Sequence, residues 1–254
     1  MNKVKYYILL LFFFLPLFIY AQASGGQIRR KSKVSSPIST KQKRIKLHSK
    51  LNGYHEKIYP DGSSYKGDYK DDLFDGYGEL RYKNGDIYKG YFKYGKKEGM
   101  GVIIYSNDWL YLKYDGEFSN DMFNGKGTLY WKNGYIRHTG NFINNERKGE
   151  GTTYFDQHPK GTSAEDLLRC EGYFDGGHMI KGTIYYYTPN TQYLKYIGEC
   201  DHSTGYPRGQ GKMYYQDGRI YEGQFSFHPH GYGKMIYPNG EEYVGEFQNG
   251  AIKR

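Results

Sequence analysis

Aromatic rings at alternate positions, punctuated by glycines, carry the hydrophobic pattern of this chain. Tyr65, Gly67 and Tyr69 share one parity, as do Gly76, Gly78, Leu80 and Tyr82, while Tyr77, Glu79 and Arg81 fall on the other. A period of two predicts strands with one aromatic and glycine face and one largely polar face. A short polar segment separates the two runs, and the second ends at Asn84-Gly85, so the unit reads as a β-hairpin. The Asn-Gly and Asp-Gly steps are expected to supply the φ > 0 residues of tight turns.

The same unit restarts at residues 65, 88, 114, 138, 170, 196, 221 and 243, a period of about 23 residues. Tyr88, Gly90 and Phe92 lead to Gly99 and Gly101, and Tyr114, Gly116 and Phe118 lead to Gly125 and Gly127. His138, Gly140 and Phe142 lead to Gly149 and Gly151. Cys170, Gly172 and Phe174 open a degraded copy that has Ile180 in place of a glycine and keeps Gly182. Tyr196, Gly198 and Cys200 lead to Gly209 and Gly211, and Tyr221, Gly223 and Phe225 to Gly231 and Gly233. Tyr243, Gly245 and Phe247 begin a last half copy. A lone hairpin is marginal in water, so the copies are expected to stack. The fold class is therefore all-β: one elongated antiparallel sheet of about eight hairpins, an open curved ribbon. Glycines weaken strands but let rings lie over bare backbone, and cross-strand aromatic pairs contribute ~0.2–1 kcal/mol each.

The Tyr-x-Gly-x-Phe, Gly-x-Gly and Tyr-x-x-Gly steps quoted above resemble the MORN (membrane occupation and recognition nexus) repeat over roughly residues 55–254. That resemblance implies an open, trough-like sheet of hairpins, used without catalysis as a scaffold, a dimeriser or a contact to proteins and lipids. With the leader described next, the chain resembles a secreted bacterial type. His138, Cys170, Cys200 and Ile180 depart from the pattern, and the middle of the ribbon is expected to be the least regular part.

Composition narrows the reading. The chain has 31 Tyr and 35 Gly, while Leu, Ile, Val and Phe make up just under a fifth of it, which argues against an ordinary aliphatic-core enzyme. Lys3 and Lys5, the apolar run Tyr6 to Tyr20 and Ala21-Gln22-Ala23 read as a signal peptide over 1–23, with an uncleaved membrane anchor as the minority reading. Export to the periplasm, outer surface or exterior is the expectation. Residues 24–50 hold basic side chains and no acidic ones, a linker expected to stay disordered and available to an anionic surface. The net charge of +9 belongs to these two segments, because from Leu51 onward 25 basic residues face 27 acidic ones. A neutral array argues against nucleic acid as a partner.

Candidate chemistry is sparse. Gly-x-Gly here opens no helix, so it is not a phosphate loop, and no nucleophile elbow is present. His228-Pro229-His230, with His202 in the turn before, reads as solvated turn histidines rather than a metal site. Neither a catalytic residue nor a cofactor is assigned. Cys170 and Cys200 sit at different positions of successive copies, too far apart in register for a disulfide. Two classes of function stand: a binding or scaffold module engaging a protein or envelope surface (lipid or glycan) through its trough or loop-bearing edge, and a carbohydrate-handling protein (lectin-like or a glycan-active enzyme) using exposed aromatics. Homo-oligomers are compatible with the first. Rings packed on glycine would favour the first class, and a band of exposed rings beside carboxylates the second. The insertions Ser106–Lys113, Asp156–Arg169 and Thr188–Lys195 are expected between repeats, on one long edge. Trp109, Tyr111 and Tyr193 form the candidate binding rim there.

Overall fold

The computed structural model describes residues 49–108, 110–155, 167–187 and 191–254. The leader 1–23, nearly all of the linker 24–50, Trp109 and most of the 156–169 insertion lie outside the described residues. The repeat array begins with β1 Gly53–Ile58, β2 Ser64–Lys70, β3 Leu73–Arg81, β4 Ile87–Lys93, β5 Lys96–Ile104 and β6 Tyr111–Ser119. It continues with β7 Met122–Trp131, β8 Ile136–Ile143, β9 Glu146–Tyr154, β10 Leu167–Asp175, β11 His178–Tyr186 and β12 Tyr193–Cys200. It ends with β13 Pro207–Tyr215, β14 Ile220–Ser226, β15 His228–Ile236, β16 Glu242–Gln248 and the short β17 Ala251–Ile252. Each strand pairs antiparallel with its neighbours in the chain, giving one open sheet of 17 strands, with no helix among the described residues. The all-β stack of hairpins expected from the alternation is the fold.

The register explains the glycines. Gly67 faces Gly78, Gly78 faces Gly90, and Gly90 faces Gly101. The lane continues through Gly116, Gly127, Gly140, Gly151, Gly172 and Gly182 to Gly245, one glycine in each strand from β2 to β16. On one face the first ring of each regular copy lies flat over this lane. A methyl group at Gly78 would overlap the ring and hydroxyl of Tyr65, and Gly101, Gly127, Gly211 and Gly233 stand likewise under Tyr88, Tyr114, Tyr196 and Tyr221. Tyr196 apart, whose copy has Cys200 at that position, each ring meets its own copy's second aromatic edge-on and that of the next copy: Tyr88 lies 5.0 Å from Phe92 and 5.0 Å from Phe118. These rings are the core, which divides into one cluster from Tyr65 to Phe142 and another from Cys170 to Phe247.

A bulge gives the tyrosine hydroxyl its task. Past the Gly67–Gly78 pair, one residue of β2 (Asp68) opposes three of β3, which frees the Asp68 carbonyl from the ladder. Tyr65 donates its hydroxyl hydrogen to that carbonyl at 3.0 Å. Tyr88 does the same to Tyr91 at 2.9 Å, Tyr114 to Glu117 at 3.1 Å, Tyr196 to Glu199 at 2.6 Å and Tyr221 to Gln224 at 3.0 Å. Phe would fill the same space and leave the carbonyl unmet, at a cost of about 1–3 kcal/mol.

Two turn expectations need correction. The tight two-residue turns lie inside the repeats, at Asp71-Asp72, Tyr94-Gly95, Asn120-Asp121, Asn144-Asn145, Gly176-Gly177 and Asn249-Gly250, where both residues have φ > 0. Asn249-Gly250 apart, the Asn-Gly and Asp-Gly steps at 61–62, 84–85, 133–134, 217–218 and 239–240 close three-residue loops instead, in which only the glycine has φ > 0 (Gly85, 90°) and donates back, Gly85 N to Tyr82 O at 2.9 Å. Their Asn or Asp accepts from the backbone two residues on, as Asn84 Oδ1 does from Asp86 N at 3.1 Å. The second correction concerns insertions. The three expected ones fall in the connections β5–β6, β9–β10 and β11–β12, between repeats, but residues 201–206, between β12 and β13, lengthen a turn inside a repeat on the opposite edge. Asp201 organises that loop by accepting from the backbone and hydroxyls of Ser203 and Thr204 and pairing with Arg208.

Candidate functional site: a groove with a glycine floor

The polar face, opposite the rings, carries a groove over the glycine lane. A depression of about 730 Å³ runs across β6 to β10, floored by Gly116, Gly127, Gly140, Gly151 and Gly172. The side-chain positions of these glycines face the rings, so on this face strand alternation leaves the backbone bare between two rows of side chains. One row is Asp115, Thr128, Thr139 and Thr152; the other is Lys126, Asn141, Glu150 and Tyr173. Strand alternation sets the rows, since each member is one residue before or after a lane glycine. Thr128 and Thr139 hydroxyls lie 3.2 Å apart, and the rows offer donors, acceptors and both charges. Apolar groups also stand free on this face: Tyr77 and Tyr91, edge to face at 5.5 Å, with Met100, Tyr173 and Tyr232. Glu79 is held ionised well below the usual carboxylate range by Lys89 and then Arg81, as Glu222 is by Lys212, so the face keeps alternating charge.

The signature tyrosines and the lane glycines form the ring-and-lane core, whereas Gly76, Gly99, Gly125, Gly149, Gly209 and Gly231 stand outside the lane with φ > 0, most of them against polar-face side chains such as Asp68 and Glu117. Of the rim residues, Trp109 lies outside the described residues. Tyr111 and Tyr193 are half-buried at the start of β6 and β12: Tyr111 stacks on Trp131 at 5.7 Å, and the Tyr193 hydroxyl meets His228 Nδ1 at 2.9 Å. His228 is therefore a half-buried partner of Tyr193, depressed in pKa by burial, and not a solvated turn histidine; His202 and His230 are exposed. No cluster of three potential metal ligands occurs among the described residues. Cys170 and Cys200 are buried free thiols with β11 between their strands, and burial raises Cys170 to about 11. The trough was an expected binding surface, but none of the groove's wall residues was picked out from the sequence. Its signal was present in the polar and charged residues that flank the lane glycines between β6 and β9.

No curated protein matches the chain. Among solved structures, the chain is similar to the TCP domain of SAS-4 (dCPAP) from Drosophila melanogaster, solved with a proline-rich motif of Ana2 (dSTIL). Identity is 14%, coverage 85% of this chain and 98% of that one, and the TM-score 0.25. It is also similar to the TCP10 domain of Danio rerio CPAP, solved with a peptide of Danio rerio STIL, at 16% identity, coverage 76% and 99%, and a TM-score of 0.22. The family model that matches is the MORN repeat, found at residues 65–87, 88–109, 114–134, 138–157 and 221–242. Five segments of this hairpin array thus match the MORN repeat, while the copies from 170 to 220 go unmatched where Cys170, Ile180, Cys200 and the 201–206 loop interrupt the pattern.

Proposed function

We propose that the chain is a non-enzymatic repeat scaffold whose partner is a protein segment lying along the glycine-floored groove. The observation that carries this reading is the groove itself: continuous bare backbone between two rows of hydrogen-bonding and charged side chains, with apolar groups nearby. A polypeptide offers matching amide donors and acceptors along with side chains for Met100 and Tyr173. The signature rings are packed on glycine, which favours a scaffold over a carbohydrate-handling protein. The exposed pair Tyr77 and Tyr91 meets edge to face and does not present one flat stacking platform. The leader pattern supports export and a role in the envelope or outside the cell; intact mass of the protein from its native host reads cleavage after Ala23 directly.

Cross-linked capture from the native envelope fraction tests the groove. The double variant Thr139→Arg, Thr152→Arg fills the floor from its wall without touching the rings. Partner capture should be lost with the thermal melt unchanged. If capture persists there and is lost in the triple variant Trp109→Ala, Tyr111→Ala, Tyr193→Ala, the partner binds the rim instead.

A further inference from the structure

Two arginines stand on the ring face where the two core clusters meet. Opposite the second aromatic of a copy, β3 places Phe74, β7 Phe123 and β11 Met179, but β9 places Arg147, across from Phe142. Arg137 is the extra residue of a bulge in β8, since Tyr130 pairs with Ile136 and Leu129 with His138. Its guanidinium lies 4.6 Å from the Trp131 ring and 5.2 Å from that of Phe155, and Arg147 lies 5.7 Å from Phe174. Both line a cavity of about 210 Å³, walled on one side by Thr204 and Tyr206 of the 201–206 loop.

No carboxylate answers them among the described residues. Asp201 is occupied by its own loop and Arg208, Glu171 pairs with Arg169 at 2.6 Å, and Asp175 with Lys148 at 3.0 Å. Arg147 Nη1 donates to Thr153 Oγ1 at 3.1 Å, and Tyr111 is the polar neighbour of Arg137, whose buried Nη1 has no hydrogen-bond partner among the described residues. Burial and then Arg147 pull Arg137 down to about 10, and Arg147 also disfavours charge on His138 and His178. Ring faces offset part of the desolvation of a guanidinium but leave its N–H groups unmet.

We infer that this cavity is an anion site that takes a tetrahedral dianion, a phosphate or sulfate group, between Arg137 and Arg147. One carboxylate would neutralise a single guanidinium; a tetrahedral dianion balances both and offers acceptors to two planar forks. The site is on the opposite face from the groove and does not depend on it.

Calorimetric titration of the full-length protein with inorganic phosphate, inorganic sulfate and acetate, at fixed ionic strength, tests it. Saturable one-site binding of phosphate or sulfate is expected, with acetate weaker; the tighter of the two tetrahedral ions identifies the source. Arg137→Met and Arg147→Met should each weaken binding by about tenfold or more, with Arg147→Lys intermediate. In anion-free buffer the Met variants should melt no lower than the parent, because they remove a buried unpaired charge. If they fail to fold, Arg147→Lys decides. The inference is overturned if the parent shows no saturable heat, or if the arginine variants bind equally well. It is also overturned if binding appears only with Asp156→Asn, Glu165→Gln and Asp166→Asn in place, since the chain's own carboxylates would then fill the cavity.

Discussion

The copies starting at Tyr65, Tyr88 and Tyr114 and the stretch from His138 to Tyr186 share one backbone and differ in what they bury. In the first region each leading tyrosine covers two glycines, meets a bulged carbonyl and touches two neighbouring rings. In the second, His138 makes the ring contacts, 5.3 Å to Phe142 and 5.0 Å to Phe174, but bonds Thr153 Oγ1 at 2.8 Å and leaves Nε2 without a partner among the described residues. Cys170 then ends the ring ladder, and Met179 and Ile184 fill the space. Yet Gly140, Gly151, Gly172 and Gly182 stay in register. The lane of paired glycines thus keeps its register where the leading tyrosine is lost. The ring face can therefore change chemistry locally. Lys97 shows a milder case in the regular region: it takes the place of Phe74, its pKa lowered by burial, and donates to the Tyr82 hydroxyl at 3.4 Å.

Glycine substitutions should separate the two regions most sharply. Gly127→Ala drives a methyl into the Tyr114 ring and should cost about 3 kcal/mol or more, whereas Gly151→Ala meets the smaller His138 ring and the edge of the Thr139 carbonyl and should cost about 1–2 kcal/mol. Urea unfolding of both variants reads the difference; equal losses would mean that the ring over the lane does not set the cost.

Acid should find the irregular region next. Burial, then Arg147 and Arg137, hold His138 down to about 3 from an ordinary 6.5. The unfolded chain binds this proton below pH 6.5 and the folded chain only near pH 3, so His138 lowers stability progressively as pH falls between those values. His138→Tyr, which rebuilds the regular copy, should flatten melting temperature across that window, and an unchanged slope would assign acid sensitivity elsewhere.

Smaller effects test the hydroxyls. Tyr114→Phe strands the Glu117 carbonyl and should cost about 1 kcal/mol by urea unfolding. Tyr193→Phe removes only the half-buried bond to His228 and should cost about 0.5 kcal/mol, below every other change here.

The repeat, its strands and the ring-over-glycine face were legible in the chain because parity and spacing are local properties. Tyr65, Gly67 and Tyr69 must share a face whatever else folds. The Asn-Gly steps misled about turn type, since the same dipeptide serves a two-residue or a three-residue loop depending on strand register. The six-residue loop at 201–206 was hidden for a related reason: its copy is only slightly long, and Cys200 still stands at its proper place. The groove was half legible, its walls being ordinary polar residues until fifteen strands align their glycines. Arg137 and Arg147 were illegible. Arg147 reads as part of a polar turn, and Arg137 reaches the ring face only through a bulge. By itself the sequence determined the strand periodicity, the hairpin stack and the tyrosine–glycine packing, because each depends on neighbours within one copy. Only the tertiary structure decided which polar side chains lose their water and which stay solvated, because that depends on register between copies and on the loops that close over them.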